Sequence, residues 1–599
     1  MSYRVDPYDN SLVIEGWENG VSDNPYAGIS DMRNVNIISI PGEASVNFAT
    51  SKISSPVITG ASVTSSDTGA DTITFTGASG LESYMAITFS VVTGITGVST
   101  NTIYWVGSVT ATTCQLFTDY QRASLVNITG NGTGTFSAIT INVPKHFTRD
   151  SSGAYWVVDQ LGQVWSNTFV TGTNSYWTFT GNKVPTSSAT QGNGLVYYQA
   201  SDGTGYIFLF HNSSIDYTPS ANGTIAWVYG WKWNTDGSAY GYAGTPTATL
   251  KSSLGSNNSH EAILSPDNRV YFVDANYVGR FYETAPATPF VPSNTATYTY
   301  DQNAILPFND IGNCITYLGT NVLIGGQRNV VYPWDRFTIN KYNYPILIAE
   351  NNISKMITVN TNTYIFAGNR GRIYVTNGSN AELYKKIPDH ISGTVEPYFT
   401  WGGATYNKNQ LYFSFSSTNN AGTALTTYGG VWAIDTDTNA LRISNKLSYA
   451  TYAGLATALT NITGSNPSGT GLFIGWNSGA STYGIDGGSS APYTGSQASI
   501  DSDLIPIGTF QKPRQFERIE YKLTKPMVSG ESVSVYYRTD FSQSYTLIFT
   551  DSTTGNFSSS QAINFGNAQW IQFQIVLNST ASTPSYTRLK EIRLTGIHA

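Results

Sequence analysis

Four aspartates are candidates for a catalytic pair of carboxylates, and three of them, Asp159, Asp274 and Asp435, follow strands of a recurring hairpin pattern. Asp159 stands in the phrase VVDQ, Asp274 in FVDA, Asp335 in PWDR and Asp435 in AIDT. Enzymes that cleave glycosidic bonds use two carboxyl groups as acid and as base or nucleophile. An aspartate beside a hairpin turn can instead accept hydrogen bonds from backbone N–H groups. Because Asp159, Asp274 and Asp435 recur at equivalent positions, we favour the turn interpretation.

Signatures of metal binding and nucleophilic catalysis are weak. The segment DTDTNA spaces Asp435, Asp437 and Asn439 as a calcium loop does, but it lacks the glycine and late glutamate of an EF-hand. No G-x-S-x-G, H-E-x-x-H or phosphate-loop motif occurs. The two cysteines lie far apart, and the five histidines are scattered without metal-ligand spacing. We therefore predict no catalytic residue, no metal and no cofactor.

Two tryptophans could bind sugars. In the phrase YGWKW, Trp231 and Trp233 lie on the same face of a predicted strand. If they were exposed, their rings would form a stacking platform for glycans. Packing of the pair inside the protein is the favoured alternative.

Composition narrows the class of protein. The chain has 599 residues, of which only 12% are charged, about half the usual share. Its net charge of −7 and its lack of a dense basic cluster argue against specific nucleic-acid binding. The N-terminus has no apolar signal core, and no stretch reaches the length of a membrane span. We expect synthesis in a cytoplasm and no stable membrane insertion.

One hairpin recurs through residues 143–500. Each copy has an apolar strand, a polar turn and a second aromatic strand, and the steps between copies are 51, 64, 52, 42, 47 and 61 residues. Propeller blades repeat at roughly 40–50 residues when insertions are confined to loops. The pattern predicts an all-β protein with a β-propeller of six or seven blades. The centres of the seven first strands are Trp156, Ile207, Tyr271, Leu323, Ile365, Tyr412 and Phe473.

Three further regions flank or precede the repeats. Residues 1–50 hold too few apolar residues for a core, so we expect an extended segment that contacts the rest of the chain or another subunit. Residues 51–142 predict a small inserted β-sandwich or barrel, and residues 501–599 a C-terminal β-sandwich. The best helix candidate anywhere is YAGLATAL, from Tyr452.

The opening phrase GVSDNPYAGISDMRNVNIISIPGEASVNF resembles the start of the tail nozzle (tail tubular) proteins of short-tailed bacteriophages. The segment PRQFERIEYKLTKPMVSGESVSVYYRTD is similar to β-sandwich segments of other phage tail proteins, and NGTGTFSA to small inserted phage β-domains. In the opening phrase the resemblance depends on Gly20, Ser22, Pro25, Arg33, Asn34 and Gly42.

This resemblance implies a structural protein of the virion tail with no enzymatic activity. It implies a homo-oligomeric ring, with a hexamer favoured, that surrounds a channel through which DNA passes without specific binding. Its partners would be other tail proteins, namely an adaptor, a tail fibre or a needle. An alternative is a receptor-binding protein that recognises host surface glycans, and a glycan-degrading propeller enzyme is the third hypothesis.

Overall fold

The fold was analysed in a computed structural model of the chain. The structure describes residues 2–6, 11–15, 17, 29–33, 35–36, 44–46, 48–52, 57–78, 80–119, 122–167, 177–183, 194–203, 205–210, 215–220, 260–283, 298–337, 342, 344–387, 398–418, 430–445, 447, 455–461, 472–478, 482–492, 498–502, 505–506, 514–540, 543–563, 568, 570–579 and 588–598.

The N-terminal region contributes six strands to sheets that later parts of the chain complete. These are β1 (Ser2–Asp6), β2 (Ser11–Glu15), β3 (Ile29–Arg33), β4 (Val35–Asn36), β5 (Ala44–Val46) and β6 (Phe48–Lys52).

A closed six-stranded barrel follows, in the order β10-β11-β8-β7-β12-β9. Four of its strands match the predicted ones within a residue or two, and the first and last were not predicted. Closure pairs every edge, so this small domain presents no open strand. Its strands are β7 (Ala61–Asp67), β8 (Thr72–Thr76), β9 (Ala86–Thr93), β10 (Ile103–Gly107), β11 (Thr113–Phe117) and β12 (Thr133–Ala138).

Seven antiparallel sheets form the propeller blades. Blades 1 to 3 are β13 (Pro144–Arg149), β14 (Tyr155–Asp159), β15 (Gln163–Ser166) and β16 (Thr178–Lys183); β17 (Gly194–Gln199), β18 (Gly205–Phe210) and β19 (Ile215–Ser220); and β20 (Ala262–Leu264), β21 (Val270–Asp274), β22 (Tyr277–Glu283) and β23 (Tyr298–Ile305). A short 3-10 helix, Pro307–Asn309, leads to the next blade.

Blades 4 to 7 complete the ring. They are β24 (Gly312–Leu318), β25 (Asn321–Gly326), β26 (Val330–Trp334) and β27 (Ile346–Leu347); β28 (Ile353–Val359), β29 (Asn362–Ala367), β30 (Arg372–Thr376) and β31 (Ala381–Lys386); β32 (Tyr398–Asn407), β33 (Gln410–Thr418), β34 (Gly430–Asp435) and β35 (Leu441–Asn445); and β36 (Leu455–Asn461), β37 (Leu472–Asn477) and β38 (Tyr483–Pro492), with β6 as the fourth strand.

The seven predicted hairpin centres each fall on the second strand of a different blade. Second strands such as β14 and β21 are buried along their whole length. A strand packed between two neighbouring blades is covered on both faces, so its sequence is continuously apolar and does not alternate. The repeat was therefore recognisable in the sequence from the apolar second strands. The structure confirms a propeller and gives it seven blades.

The first strands of successive blades pack side by side around the axis, and β36 of blade 7 packs against β13 of blade 1. At this closure the ring of Phe473 lies 5.1 Å from that of Tyr155 and 5.3 Å from that of Trp177, both edge to face. The N-terminal strand β6 pairs with β38 and forms the outer edge of blade 7. The ring is therefore closed by strands from distant parts of the chain.

The remaining strands, together with strands of the N-terminal region, form a β-sandwich. They are β39 (Ala498–Ser502), β40 (Ile505–Pro506), β41 (Arg514–Leu523), β42 (Glu531–Arg538), β43 (Thr546–Asp551), β44 (Ser558–Ala562), β45 (Trp570–Ser579) and β46 (Arg588–His598). The candidate helix from Tyr452 was wrong: its residues 455–459 lie in strand β36, because tertiary pairing with β37 outweighs the helix propensity of alanine and leucine.

Strand β3 joins the sandwich to the propeller. It pairs in parallel with β35 of blade 6 and antiparallel with β39, so blade 6 continues into the sandwich as one ten-stranded sheet. On the opposite sheet, β2 pairs with β46, and the buried indole of Trp17 donates a hydrogen bond to the Lys590 carbonyl at 2.8 Å. The described N-terminal strands thus pack on the chain's own C-terminal half.

Close backbone approach in the barrel gives a test of this fold. A Cβ on Gly97 (φ +99°) would lie 2.2 Å from the Asn127 carbonyl oxygen, whereas one on Gly60 (φ +66°) would meet nothing within 4 Å. We expect Gly60→Ala to cost about 1 kcal/mol for its left-handed backbone. Gly97→Ala should cost about 2 kcal/mol more, because the backbone must also shift. Urea unfolding of both variants measures this, and equal losses would contradict the described loop packing.

Candidate functional site in the propeller channel

The hairpin aspartates are held by turns. The buried carboxylate of Asp159 accepts hydrogen bonds from the backbone N–H groups of Asn142, Leu161 and Gln163 at 2.9–3.0 Å and from the indole of Trp165 at 3.3 Å. Burial raises its pKa to about 7, although these donors favour the charged form. Its donors confirm the turn interpretation for this residue.

Asp435 makes a similar arrangement in blade 6. Its Oδ1 accepts the backbone N–H groups of Asp437 and Thr438 at 3.0 and 2.9 Å, and its Oδ2 accepts the amide of Gln410 at 2.6 Å. Asp437 accepts the Asn409 amide, and Asn439 accepts the Tyr384 hydroxyl. The oxygens of the candidate calcium loop therefore accept hydrogen bonds from separate groups of the protein.

Asp274 is buried at the end of β21, and Asp335 accepts the backbone N–H of Phe337 at 3.0 Å. The four candidates belong to blades 1, 3, 4 and 6. No group of three or more histidine, cysteine or acidic side chains in the described ranges is arranged to hold a metal ion.

Buried aspartates paired with an aromatic N–H or O–H are a feature that sequence reasoning missed. The carboxylates of Asp150, Asp310 and Asp486 accept hydrogen bonds from Trp156 at 2.9 Å, Tyr332 at 3.0 Å and Trp476 at 2.7 Å. Asp310 also accepts the backbone N–H groups of Ile311 and Gln327. The first two contacts tie turns or loops to strands, and the third joins β38 to β37, so these carboxylates have a structural role.

The possible glycan platform, Trp231 and Trp233, lies outside the described residues. So do Gly20, Ser22, Pro25, Asn34 and Gly42 of the family phrase, while Arg33 ends strand β3. Trp570, which begins β45, is half-buried and pairs with Pro506.

The propeller axis instead brings together charged residues from three blades. Glu261, just before β20 of blade 3, forms an ion pair with Lys355 of β28 in blade 5. Its other oxygen accepts the backbone N–H of Ile315, in blade 4, at 3.3 Å. One carboxylate therefore links three consecutive blades across the channel.

Burial acts to lower the pKa of Lys355, but the neighbouring Glu261 carboxylate outweighs this effect, and the pKa is raised. The Lys355 side chain keeps 23% exposure because it borders an open cavity, although protein surrounds it. The ion pair thus links blades 3 and 5 at a position from which bulk water is largely excluded.

Lys145 and His146, on the first strand of blade 1, reach the same region. Burial, together with the smaller effects of the charges of Lys355, Lys145 and His260, lowers the pKa of His146 to about 3. His260 is fully buried, with Nδ1 3.2 Å from the Val273 carbonyl oxygen, and its own carbonyl leaves no room for a side chain at Gly194. Histidines that are 114 residues apart in sequence are thus near enough for one to affect the pKa of the other.

A cavity of about 450 Å³ adjoins Glu261 and Lys355. Its polar wall includes Thr316 and Thr358, whose hydroxyl oxygens are 3.2 Å apart. Ile263, Met356 and Ala404 contribute apolar surface. The size is that of a small-molecule site.

The channel offers binding groups but no activated nucleophile within the described part of the chain. The thiol of Cys314 is fully buried, and burial raises its pKa well above the ordinary value. A neutral thiol is a poor nucleophile. The channel can therefore hold a pair of opposite charges in place, and its cavity can accommodate a small polar ligand.

A second pocket, of about 440 Å³, lies between blades 4 and 5. Burial raises the pKa of Glu350 in its wall, while Arg372, 3.5 Å away, opposes the shift. The Tyr374 hydroxyl also donates to Glu350 at 3.5 Å. These contacts account for Glu350 as a link between neighbouring blades.

The ion pair across the channel can be tested by a double-mutant cycle. Glu261→Gln or Lys355→Met alone should each lower the free energy of unfolding by about 3 kcal/mol, because one charge is left unpaired at a largely buried site. The double variant should recover most of this loss. Urea unfolding of the four proteins gives the coupling, and additive losses would contradict a direct pair.

Asp159 and His146 should produce opposite pH dependences. With the pKa of Asp159 raised to about 7, the folded state binds more protons, so this residue lowers stability as pH rises from about 4 to about 7. With the pKa of His146 lowered to about 3, the unfolded state binds more protons, so this residue raises stability from about pH 3 to about 6.5.

We therefore expect the stability difference between wild type and Asp159→Asn to change with pH in the opposite direction to that between wild type and His146→Gln. Unfolding free energies measured at several pH values in chloride buffer give both slopes. Two slopes of the same sign would show that the burial of one group is misassigned.

No helix in the described residues is long and apolar enough to cross a membrane. No protein-family model matches the chain, and no curated protein is similar to it in sequence. Among solved structures, the WD40 β-propeller domain of Doa1 is 11% identical over 58% of this chain and 93% of that one, with a TM-score of 0.35.

YCF48 bound to D1 peptide is 9% identical over 58% of this chain and 90% of its own, with a TM-score of 0.34. The exo-β-1,3-galactanase from Phanerochaete chrysosporium is 12% identical over 69% and 98%, with a TM-score of 0.23. At these similarities none of the three informs the function, and the strand pairing alone defines the all-β propeller with its additional barrel and sandwich.

Proposed function

We propose that this protein is a structural component of a bacteriophage tail, which forms a ring, with a hexamer favoured, as nozzle or hub around the DNA channel. The proposal begins from the resemblance of the opening phrase to tail nozzle proteins. Its localisation would be the virion tail, after synthesis in the host cytoplasm, and its activity would be mechanical and not enzymatic.

The observation that carries the proposal is the ten-stranded sheet that runs from blade 6 through β3 into the sandwich. A hydrogen-bonded sheet resists bending between the two bodies more than a peptide linker does. A protein that must keep its shape while DNA passes under pressure benefits from such continuity. This supports a role as a wall element.

The propeller's own channel is too narrow to be the DNA conduit in this proposal. A single side-chain pair, Glu261 and Lys355, links blades across it. A DNA duplex has a major groove alone about 12 Å wide. DNA would therefore pass along the axis of the ring, between subunits, with the propellers arranged around it.

Charge supports sliding without adhesion. The chain carries a net charge of −7, and phosphate binding needs clustered lysine or arginine. The roles of Asp159 and Asp435 in turns are consistent with the absence of glycan cleavage. Adaptor, fibre or needle proteins would bind the outer surfaces.

Electron microscopy tests the proposal directly. We expect purified protein, or protein in virions, to form a ring with an axial channel, and the mass of the particle in solution to be several times 64.9 kDa, with six times favoured. A monomer in solution that is dispersed over the virion surface would contradict the nozzle role.

A glycan array separates the receptor-binding alternative. Binding that disappears with Trp231→Ala or Trp570→Ala, in a protein that forms no ring, would favour attachment to host glycans. Absence of binding together with a ring supports the structural role.

A further inference from the structure

The axial cavity of about 450 Å³ is bounded by the first strands of four consecutive blades, 3 to 6. In the described sheets, β24 and β28 are terminal strands that pair only with the second strand of their own blade. Their other edges carry N–H and C=O groups that need partners, and the Ile315 N–H, which Glu261 accepts at 3.3 Å, is one of them. The wall therefore offers backbone as well as side-chain hydrogen-bonding groups.

The charges in this wall cancel. Glu261 and Lys355 are its charged residues in the part of the chain that the structure describes, and they form an ion pair. A ligand with a net charge would lose its own water without gaining a counter-charge, and burial of an unpaired charge is costly. The cavity therefore favours a neutral ligand.

Hydroxyl groups line the cavity further along β28. The hydroxyl oxygen of Thr358 is 3.2 Å from that of Thr316 and 2.8 Å from that of Thr363. Hydroxyl protons can rotate, so such a chain can either donate a hydrogen bond to a ligand or accept one from it. The Asn360 amide in the same wall also carries both donors and an acceptor. These groups match the hydroxyls of a ligand.

Apolar surface lies between the two polar ends. Lys355 and Thr358 are three residues apart on β28, which corresponds to about 10 Å along a strand. Ile263 and Ala404 in the wall are only half-buried, and the Tyr317 side chain is 38% exposed. A sugar ring has apolar faces of C–H groups and hydroxyls around its edge, so it fits a cavity that is apolar along its walls and polar at its ends.

We propose that the axial cavity binds one neutral sugar ring. A face of the ring contacts Tyr317, and its hydroxyls bond to Thr316 and Thr358 at one end and to the ion pair at the other. The site does not depend on the tail role, since it uses only residues of one chain. A free monosaccharide and the terminal unit of a glycan chain share the required chemistry.

The test is calorimetric titration of the whole chain with glucose and galactose, and with cellobiose and lactose as short glycans. We expect saturable one-site binding of at least one of these sugars and a rise in the midpoint of thermal unfolding that saturates with it. Tighter binding of a disaccharide would identify the terminal unit of a glycan as the ligand, and binding of a free sugar alone would identify a monosaccharide.

Charged counterparts test the neutrality of the site. Glucuronate and glucosamine correspond to glucose, and galacturonate and galactosamine to galactose. Each should bind at least about tenfold more weakly than its neutral parent, because its charge finds no free counter-charge in the cavity.

Two variants locate the site. Tyr317→Ala should weaken binding by about tenfold through the loss of ring contact, whereas Tyr344→Ala, which removes a tyrosine that is 92% exposed just before β27, should leave it unchanged. Thr316→Val should weaken binding by about fivefold, because one neutral hydrogen bond is lost. Thr64→Val, at an exposed position of the barrel, is its matched control.

Three outcomes would overturn the proposal: no neutral sugar binds at tens of millimolar, the charged counterparts bind as tightly as their parents, or both cavity variants bind as wild type does. Circular dichroism of each sugar-free variant checks that it folds, and the two cavity variants change different residues, so either can stand alone. Stabilisation by sugar that is equal in wild type and both cavity variants would show only a general osmolyte effect and would also overturn it.

Discussion

Strand pairing between the N-terminal region and the C-terminal half of the chain is the interaction on which the remaining structure depends. Strand β6 completes blade 7, and β3 lies between blade 6 and the sandwich. A ring of blades leaves an open edge unless its first and last parts are joined. Such long-range pairing has a high cost in loop-closure entropy, so it forms only if many apolar contacts form together with it. The continuous core from Phe366 through Trp432 to Ile592 provides them.

Polar groups inside the blades follow from the same constraint. Stacked sheets exclude water, and tight turns between buried strands leave backbone N–H groups that need acceptors. Asp159, Asp310 and Asp435 each supply a carboxylate for several of these groups. This use of aspartate explains why acidic residues recur with the repeat. These aspartates therefore serve turns, whereas Glu261 in the channel links different blades.

The all-β class, the seven repeats and four barrel strands could be predicted because each depends on local pattern. Apolar runs centred on Trp156 or Tyr271 identify second strands that are covered on both faces. The channel site could not be predicted in this way, because Lys145, His146, Glu261 and Lys355 come near one another only after the ring has closed. A signal was nevertheless present: in a chain with 12% charged residues, PKHF, SHEAIL and ISKMITV place charge on or beside first strands. If the first strands of the blades had been considered together as one surface around the axis, these residues would have been grouped.

The closed ring also constrains how the protein can contact others. Among the described residues, an ion pair lies at the blade axis, and β1, β2 and β46 are paired within the chain. The outer strands, the barrel and the sandwich are surfaces that a partner can contact without disturbing these interactions. The outer edge carries exposed apolar side chains, among them Leu347 on β27 and Leu383 on β31. Both belong to neighbouring blades, and each lies on the outermost strand of its sheet. Contacts at such edges do not involve the inner strands that line the axial cavity, so they leave that cavity unchanged.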